Sequence, residues 1–226
     1  MKTIPTIINK KTLLTAVTGL ALMGASFSGS ALVDDSENRD LDTFHSLMIK
    51  GGIELDVKIG SSQKVKIAVD DDLDLSEVIT KVENGFLIID VKRKKNFWGG
   101  KKQSGEVSVT LTMTDFQKVH VKGAVDGDIE GIDSENVSLE VYGAADLDIT
   151  GKCGKLSVNV RGAGDLDADN LRCKEADINI SGAGNAKVYS SEKVKAIVSG
   201  VGSVTIEGNP KDITKKIRGL GNIRIK

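Results

Sequence analysis

Three short segments place two aspartates two residues apart: Asp126/Asp128, Asp146/Asp148 and Asp165/Asp167. On an extended strand both carboxylates of such a pair leave the same face. If the three segments lie side by side, the six groups form two parallel rows stepping about 4.8 Å from strand to strand. Like charges at that spacing repel, and an oxygen-seeking cation such as calcium would relieve the repulsion. The same residues equally suit a solvated acidic face that limits aggregation. They lack the Gly-Gly-x-Gly-x-Asp nonapeptide of calcium-binding β-rolls.

A second candidate is the stretch Lys92–Lys102, which sets six basic residues around Phe97 and Trp98, the chain's only tryptophan. Aromatic tips flanked by lysine suit contact with anionic lipid, acidic glycan or nucleic-acid bases. They also suit a mobile loop whose rings fold back on their neighbours. Catalytic patterns are missing. His45 and His120 are the only histidines, and no Ser/His/Asp order, histidine cluster or phosphate loop accompanies them. Solenoid enzymes that cleave polysaccharides combine carboxylates or arginines with calcium. Here the aspartates have no neighbouring arginine or histidine ladder beyond Arg161, so no enzyme and no catalytic residue is expected.

The elements that position these residues are repeats. Seven copies of one pattern surround Gly51, Gly123, Gly143, Gly162, Gly182, Gly200 and Gly219. After a first gap of 72 residues the steps are 20, 19, 20, 18 and 19. A period near twenty marks a solenoid. Before each glycine the apolar residues alternate, as in Leu156, Val158 and Val160; after it they resume, as in Leu147 and Ile149. This is the period of strands with one buried face. The glycine marks a bend that tolerates no β-carbon or needs a positive φ. The step leaves no room for a helix. The chain is therefore expected to be all-β, a single-stranded parallel β-helix of 19–20 residues per coil, with an aliphatic core that suits an aromatic content of only 4%.

Residues 40–119 break the period and predict irregular first coils with some antiparallel pairing, including an Asn84-Gly85 hairpin and one helical turn near Asp74–Thr80. Such a cap covers strand edges that would otherwise stay unpaired. Lys215, Lys216, Arg218, Arg224 and Lys226 in the last repeat would discourage further stacking. Cys153 and Cys173, the only cysteines, each precede a repeat glycine by nine residues. They occupy one position in successive coils, with Cα atoms expected about 5 Å apart, within reach of a disulfide. Two free thiols are the alternative.

Residues 1–31 read as an export signal: Lys2, Lys10 and Lys11, then the short apolar run Leu13–Met23, then the small residues Gly29-Ser30-Ala31. Residues 32–43 would be a short lead and 44–226 one domain. The chain has 31 basic and 32 acidic residues, and the signal carries three of the basic ones, leaving 28 against 32. That balance gives no global footprint for nucleic acid. An oxidising periplasmic or cell-surface location would favour the disulfide.

The array Gly-Ala-Gly-Asp/Asn-Leu-Asp, together with Phe44–Val57, Asn84–Asp90 and Val107–Met113, resembles the bacterial autotransporter-adhesin "head GIN" domain family, a domain of unknown function. The resemblance covers roughly Phe44 to Lys226. It implies a right-handed parallel β-helix in an exported bacterial protein and carries no catalytic motif to transfer. No translocator barrel follows, so self-secretion is not expected. The expected role is an adhesin-like envelope module that binds a glycan, an envelope polymer or a protein, with no cofactor unless calcium sits on the aspartates. A self-associating structural scaffold and a calcium-dependent carbohydrate enzyme are the alternatives.

Overall fold

A computed structural model describes residues 35–70, 72–92 and 105–226. The export signal read at 1–31, and Phe97 and Trp98, lie outside these residues. The described part is an all-β solenoid of about five turns.

The strands are β1 (Asp35–Asn38), β2 (Ser46–Lys50), β3 (Gly52–Ile59), β4 (Lys64–Val69), β5 (Val78–Glu83), β6 (Phe86–Val91), β7 (Val107–Met113), β8 (Lys118–Val121), β9 (Ala124–Val141), β10 (Ala144–Val160), β11 (Ala163–Ile180), β12 (Ala183–Val198), β13 (Val201–Glu207), β14 (Asp212–Ile217) and β15 (Leu220–Ile225). Two parallel ladders run along the stack. The ladder after the glycines joins β3, the first halves of β9–β12, then β13 and β15. The ladder before the glycines joins β2, β8, the second halves of β9–β12, and β14. Their inward residues form aliphatic columns. One is Leu139, Val158, Ile178 and Ala196; another is Leu147, Leu166 and Ala186, all at most 2% exposed. Full burial of each valine, leucine or isoleucine contributes about 1.5–3 kcal/mol.

The corner between the ladders needs glycine for space, not for backbone angle. A β-carbon on Gly123, Gly143, Gly162, Gly182 or Gly200 would lie 1.8 Å from the carbonyl oxygen of the glycine one coil earlier. Of the seven repeat glycines only Gly51 has a positive φ, +130°. Hydrogen bonds continue straight through the corner, from Ala144 N to Gly123 O (2.9 Å) and from Ala163 N to Gly143 O (2.9 Å). The opposite corner is looser than the expected strand–turn–strand repeat. The long strands β9–β12 run through it with bulges, as between Asp148 and Gly151 or Ala168 and Arg172. The steps of 18 to 20 residues differ there, while both ladders keep register.

The 72-residue gap closes on itself. β2 pairs with β8 and β3 with β9, so the Gly51 coil stacks directly against the Gly123 coil. The intervening chain lies on the other side of the Gly51 coil. There β6 and β7 extend the two ladders in parallel, and β5, β4 and β1 then turn antiparallel. The expected hairpin joins β5 to β6, with Asn84 (φ 51°) and Gly85 (φ 76°) both left-handed, as a two-residue turn of this kind requires. The expected helical turn is a single 3₁₀ turn, Leu75–Glu77, whose Ser76 N donates to Asp74 Oδ1 at 2.8 Å. Arg39 ties the cap together. Its guanidinium donates to Val78 O (2.6 Å), Thr80 Oγ1 (2.8 Å) and Leu75 O (3.0 Å).

Gly143→Ala drives a methyl into a carbonyl that the ladder holds fixed, and it is expected to cost about 3 kcal/mol or more, or to prevent folding. Gly131→Ala is the control. Its β-carbon would meet nothing closer than 3.7 Å, but its φ is +81°, so the expected cost is only about 1–2 kcal/mol. Urea unfolding of the two variants checks the contrast.

Candidate functional site

The post-glycine ladder sets the predicted carboxylates in register. Asp126, Asp146 and Asp165 are neighbours in one row; Asp128, Asp148 and Asp167 are neighbours in the next. Both rows are longer than the aspartate pairs alone indicated, because β3 places Glu54 beside Asp126 and Asp56 beside Asp128. The signal for these two was present in Gly-Gly-Ile-Glu-Leu-Asp, but the 72-residue gap hid their adjacency. Where β3, β7 and β9 meet, Glu54, Asp56, Glu106, Asp126 and Asp128 line a cleft of about 670 Å³. Ser108 Oγ donates to Glu54 Oε2 in it at 2.8 Å.

Repulsion reaches Asp146, in the middle of the first row. The Asp146 carboxyl is pushed above the usual aspartate range, first by partial burial and then by Asp126, Asp165 and Asp148. Farther along, the row neutralises itself by hydrogen bonding. Asn185 donates from N and Nδ2 to Asp165 Oδ1 (3.1 and 2.8 Å), and Ser203 donates from N and Oγ to Asn185 Oδ1 (3.2 and 2.7 Å). In the second row Lys187 donates to Asp167, and this hydrogen bond holds the Asp167 carboxyl below its ordinary value. Burial, with Asp167 and Glu207 nearby, pushes Asp169 up. The rows run along a flat sheet, so each carboxylate has a side-by-side neighbour. Among the described residues, no three His, Cys, Asp or Glu side chains close on one point.

On the other side of the glycine corner stands a different column: Lys50, Lys122, Tyr142 and Arg161, each immediately before its glycine. Tyr142 stacks on His120 with ring centroids 5.1 Å apart, and the Arg161 guanidinium lies 5.4 Å from the Tyr142 centroid. His120 Nδ1 is 3.3 Å from Glu140 Oε2. Burial, together with Lys122 and Lys118, outweighs that carboxylate and lowers the imidazole's pKa. Sequence reading missed this column, since its members, two lysines, a tyrosine and an arginine, form no uniform motif. Between it and the acidic rows runs a groove of about 550 Å³, floored by Ala124, Ala144, Ala163 and Ala183.

These repeats agree with a known family. The model described as "Putative auto-transporter adhesin, head GIN domain" matches residues 43–210. The chain belongs to the head GIN family. This head GIN protein is similar in fold to a crystal structure of a "putative adhesin" from Bacteroides fragilis. The TM-score is 0.68 at 19% identity, over 85% of this chain and 97% of that one. A "putative lipid binding protein" from Parabacteroides distasonis (TM-score 0.49, 17% identity, 85% and 96% covered) and a "putative adhesin" from Parabacteroides merdae (TM-score 0.42, 18% identity, 88% and 98% covered) are more distant in shape. No curated protein matches the sequence. The family and the Bacteroides fragilis structure are both described as "putative" adhesins.

The head GIN coils are also joined covalently. Cys153 and Cys173 pair in register, their Cα atoms 4.5 Å apart, and form a disulfide. The same column is continued by Ser134 and Ser190, which replace the thiols by hydroxyl contacts. Ser190 Oγ lies 2.9 Å from Lys174 O and 2.8 Å from Lys193 O.

Two outcomes follow from this geometry. The disulfide closes a 20-residue separation. Its replacement by Cys153→Ala/Cys173→Ala is expected to lower the unfolding free energy by about 3 kcal/mol, read by denaturant titration. The raised Asp146 carboxyl penalises the folded state when ionised. The penalty is absent below the ordinary aspartate range, where folded and unfolded forms are both protonated. It grows as pH rises through that range and is complete above the folded value. Asp146→Asn removes it and lets the new amide donate to Asp126 as Asn185 does to Asp165. The variant is expected to gain about 0.2–1 kcal/mol at neutral pH and to lose part of the stability gained on acidification. Unfolding curves at pH 4 and pH 7 check both.

Proposed function

We propose that this chain is an exported, adhesin-like module of the cell envelope that binds without catalysis, holding an extended partner along its carboxylate rows. The observation that carries the reading is the register of Glu54, Asp126, Asp146 and Asp165 beside Asp56, Asp128, Asp148 and Asp167 on one exposed sheet. A rigid row of anions repeating about every 4.8 Å complements a polymer with closely repeated cationic groups. The disulfide supports an oxidising compartment and hence export. The family's description as an adhesin supports a binding role. A glycan bearing amino sugars, another envelope polymer or a lysine-rich protein segment each supplies the required charge. Calcium held by the rows would extend the range to anionic glycans.

The test is calorimetry with chitosan oligomers and polylysine as cationic probes and alginate as the anionic one, with and without calcium. Binding of the cationic probes is expected to weaken at least about tenfold in Asp128→Asn/Asp148→Asn and to fall with salt. Binding unchanged in that variant, or seen only with calcium-free alginate, refutes the reading.

A further inference from the structure

The glycine corner carries two opposite charge columns at the same levels of the stack. Before the glycines stand Lys50, Lys122, Tyr142 and Arg161; three residues after them stand Glu54, Asp126, Asp146 and Asp165. Over the next two coils both columns are uncharged, as Ser181 faces the level of Asn185 and Ser199 that of Ser203, and in the last coil Arg218 faces the level of Asn222. Among the described residues Lys50, Lys122 and Arg161 make no ion pair. Tyr142 does not offer an open ring face to a sugar, because His120 covers one side and Arg161 approaches the ring as well. The column is a ridge of long side chains, 43% exposed at Tyr142. Beside it lies the groove of about 550 Å³ with its alanine floor and its wall of Asp126, Asp146 and Asp165.

We propose that this corner is a self-recognition surface, through which two copies of the chain pair side by side and parallel about a twofold axis along the solenoid. Such a rotation exchanges the two sides of the seam and keeps the level. The ridge of each copy then enters the groove of the other, and Lys50, Lys122 and Arg161 meet the second copy's Glu54, Asp126 and Asp165. An antiparallel arrangement would set like columns against each other. A twofold interface must be complementary to itself, and a seam with cations on one side and anions on the other at equal heights meets that condition. Beyond the paired charges the seam carries exposed apolar side chains, Val201 (58%) and Leu220 (83%), and the two copies cover these side chains with each other.

The charged part of the seam spans four coils, roughly 20 Å at about 4.8 Å per coil. That is a narrow strip, below the area of standard stable interfaces, so the pair is expected to be weak and salt-sensitive. The seam shares the Glu54, Asp126 and Asp165 row with the proposed partner surface but leaves the Asp128 row free, so Asp128→Asn/Asp148→Asn tests partner binding without altering the seam and the two readings fail separately.

Sedimentation velocity of the protein across a concentration series, at low and high salt, tests the proposal. A monomer–dimer equilibrium that salt dissociates is expected. Lys122→Glu/Arg161→Glu and, separately, Asp126→Lys/Asp165→Lys should each weaken it by at least about tenfold through like-charge contact. Mixing the two variants in equal amounts should restore dimer, since every contact is then opposite in sign; this recovery also shows that both variants are folded. A wild-type protein monomeric to millimolar concentration at low salt overturns the proposal. So does a dimer indifferent to both reversals, or a mixture that recovers none.

Discussion

At the glycine corner each coil lies against the carbonyl oxygen of the coil before it, with no space for a β-carbon. Everything else in the stack depends on that approach. It lets the inter-coil hydrogen bonds run through the bend without a break, as from Tyr142 N to Val121 O and from Ala144 N to Gly123 O. With both ladders held in register on either side of the corner, identical positions fall into columns. The aliphatic columns make the core, and the polar columns make the surface. At the opposite corner such a contact does not recur in every coil, although Gly151 makes one with Ile132 O, and the changes in coil length collect there as bulges.

Stacking of this kind has no natural stop, so the ends need their own chemistry. At one end the chain reverses direction. The strands β5, β4 and β1 pair antiparallel and cover the ladders, locked by the Arg39 guanidinium. At the other, β14 has six exposed residues, and Lys215 takes the inward column position that Ala196 holds one coil earlier. A lysine in a core column cannot be buried by another coil without desolvating its charge, which is a known way of protecting a strand edge.

The same register that builds the core also builds the surface electrostatics. Rows of like carboxylates are unfavourable to hold, and the Asp146 carboxyl shows it. The later coils replace them with Asn185 and Ser203, which bond down the column, and with Lys187, which pairs with Asp167. The first four levels instead keep the anions, beside lysine, tyrosine and arginine across the corner. In both proposals this surface chemistry is directed at a partner outside the coil.

Much of this was legible in the residues alone. The spacing of glycines, the alternation of Leu156, Val158 and Val160, the Asn84-Gly85 turn and the shared position of Cys153 and Cys173 are local or periodic signals, and a stack of equal coils converts them directly into neighbours. The three aspartate pairs became rows for the same reason. What the repeat could not express was anything across a break in period. Only the folded chain put Glu54 and Asp56 next to Asp126 and Asp128, because the 72 intervening residues had to loop back as a cap before the first and second repeats could meet. Only the fold set the column of Lys50, Lys122, Tyr142 and Arg161 across the corner from those carboxylates. Sequence determined the coil, since a strand's inward and outward faces are decided by its own alternation. Tertiary structure decided which coils touch and which charges share a level, since register is set by hydrogen bonds and backbone contact between segments far apart in the chain.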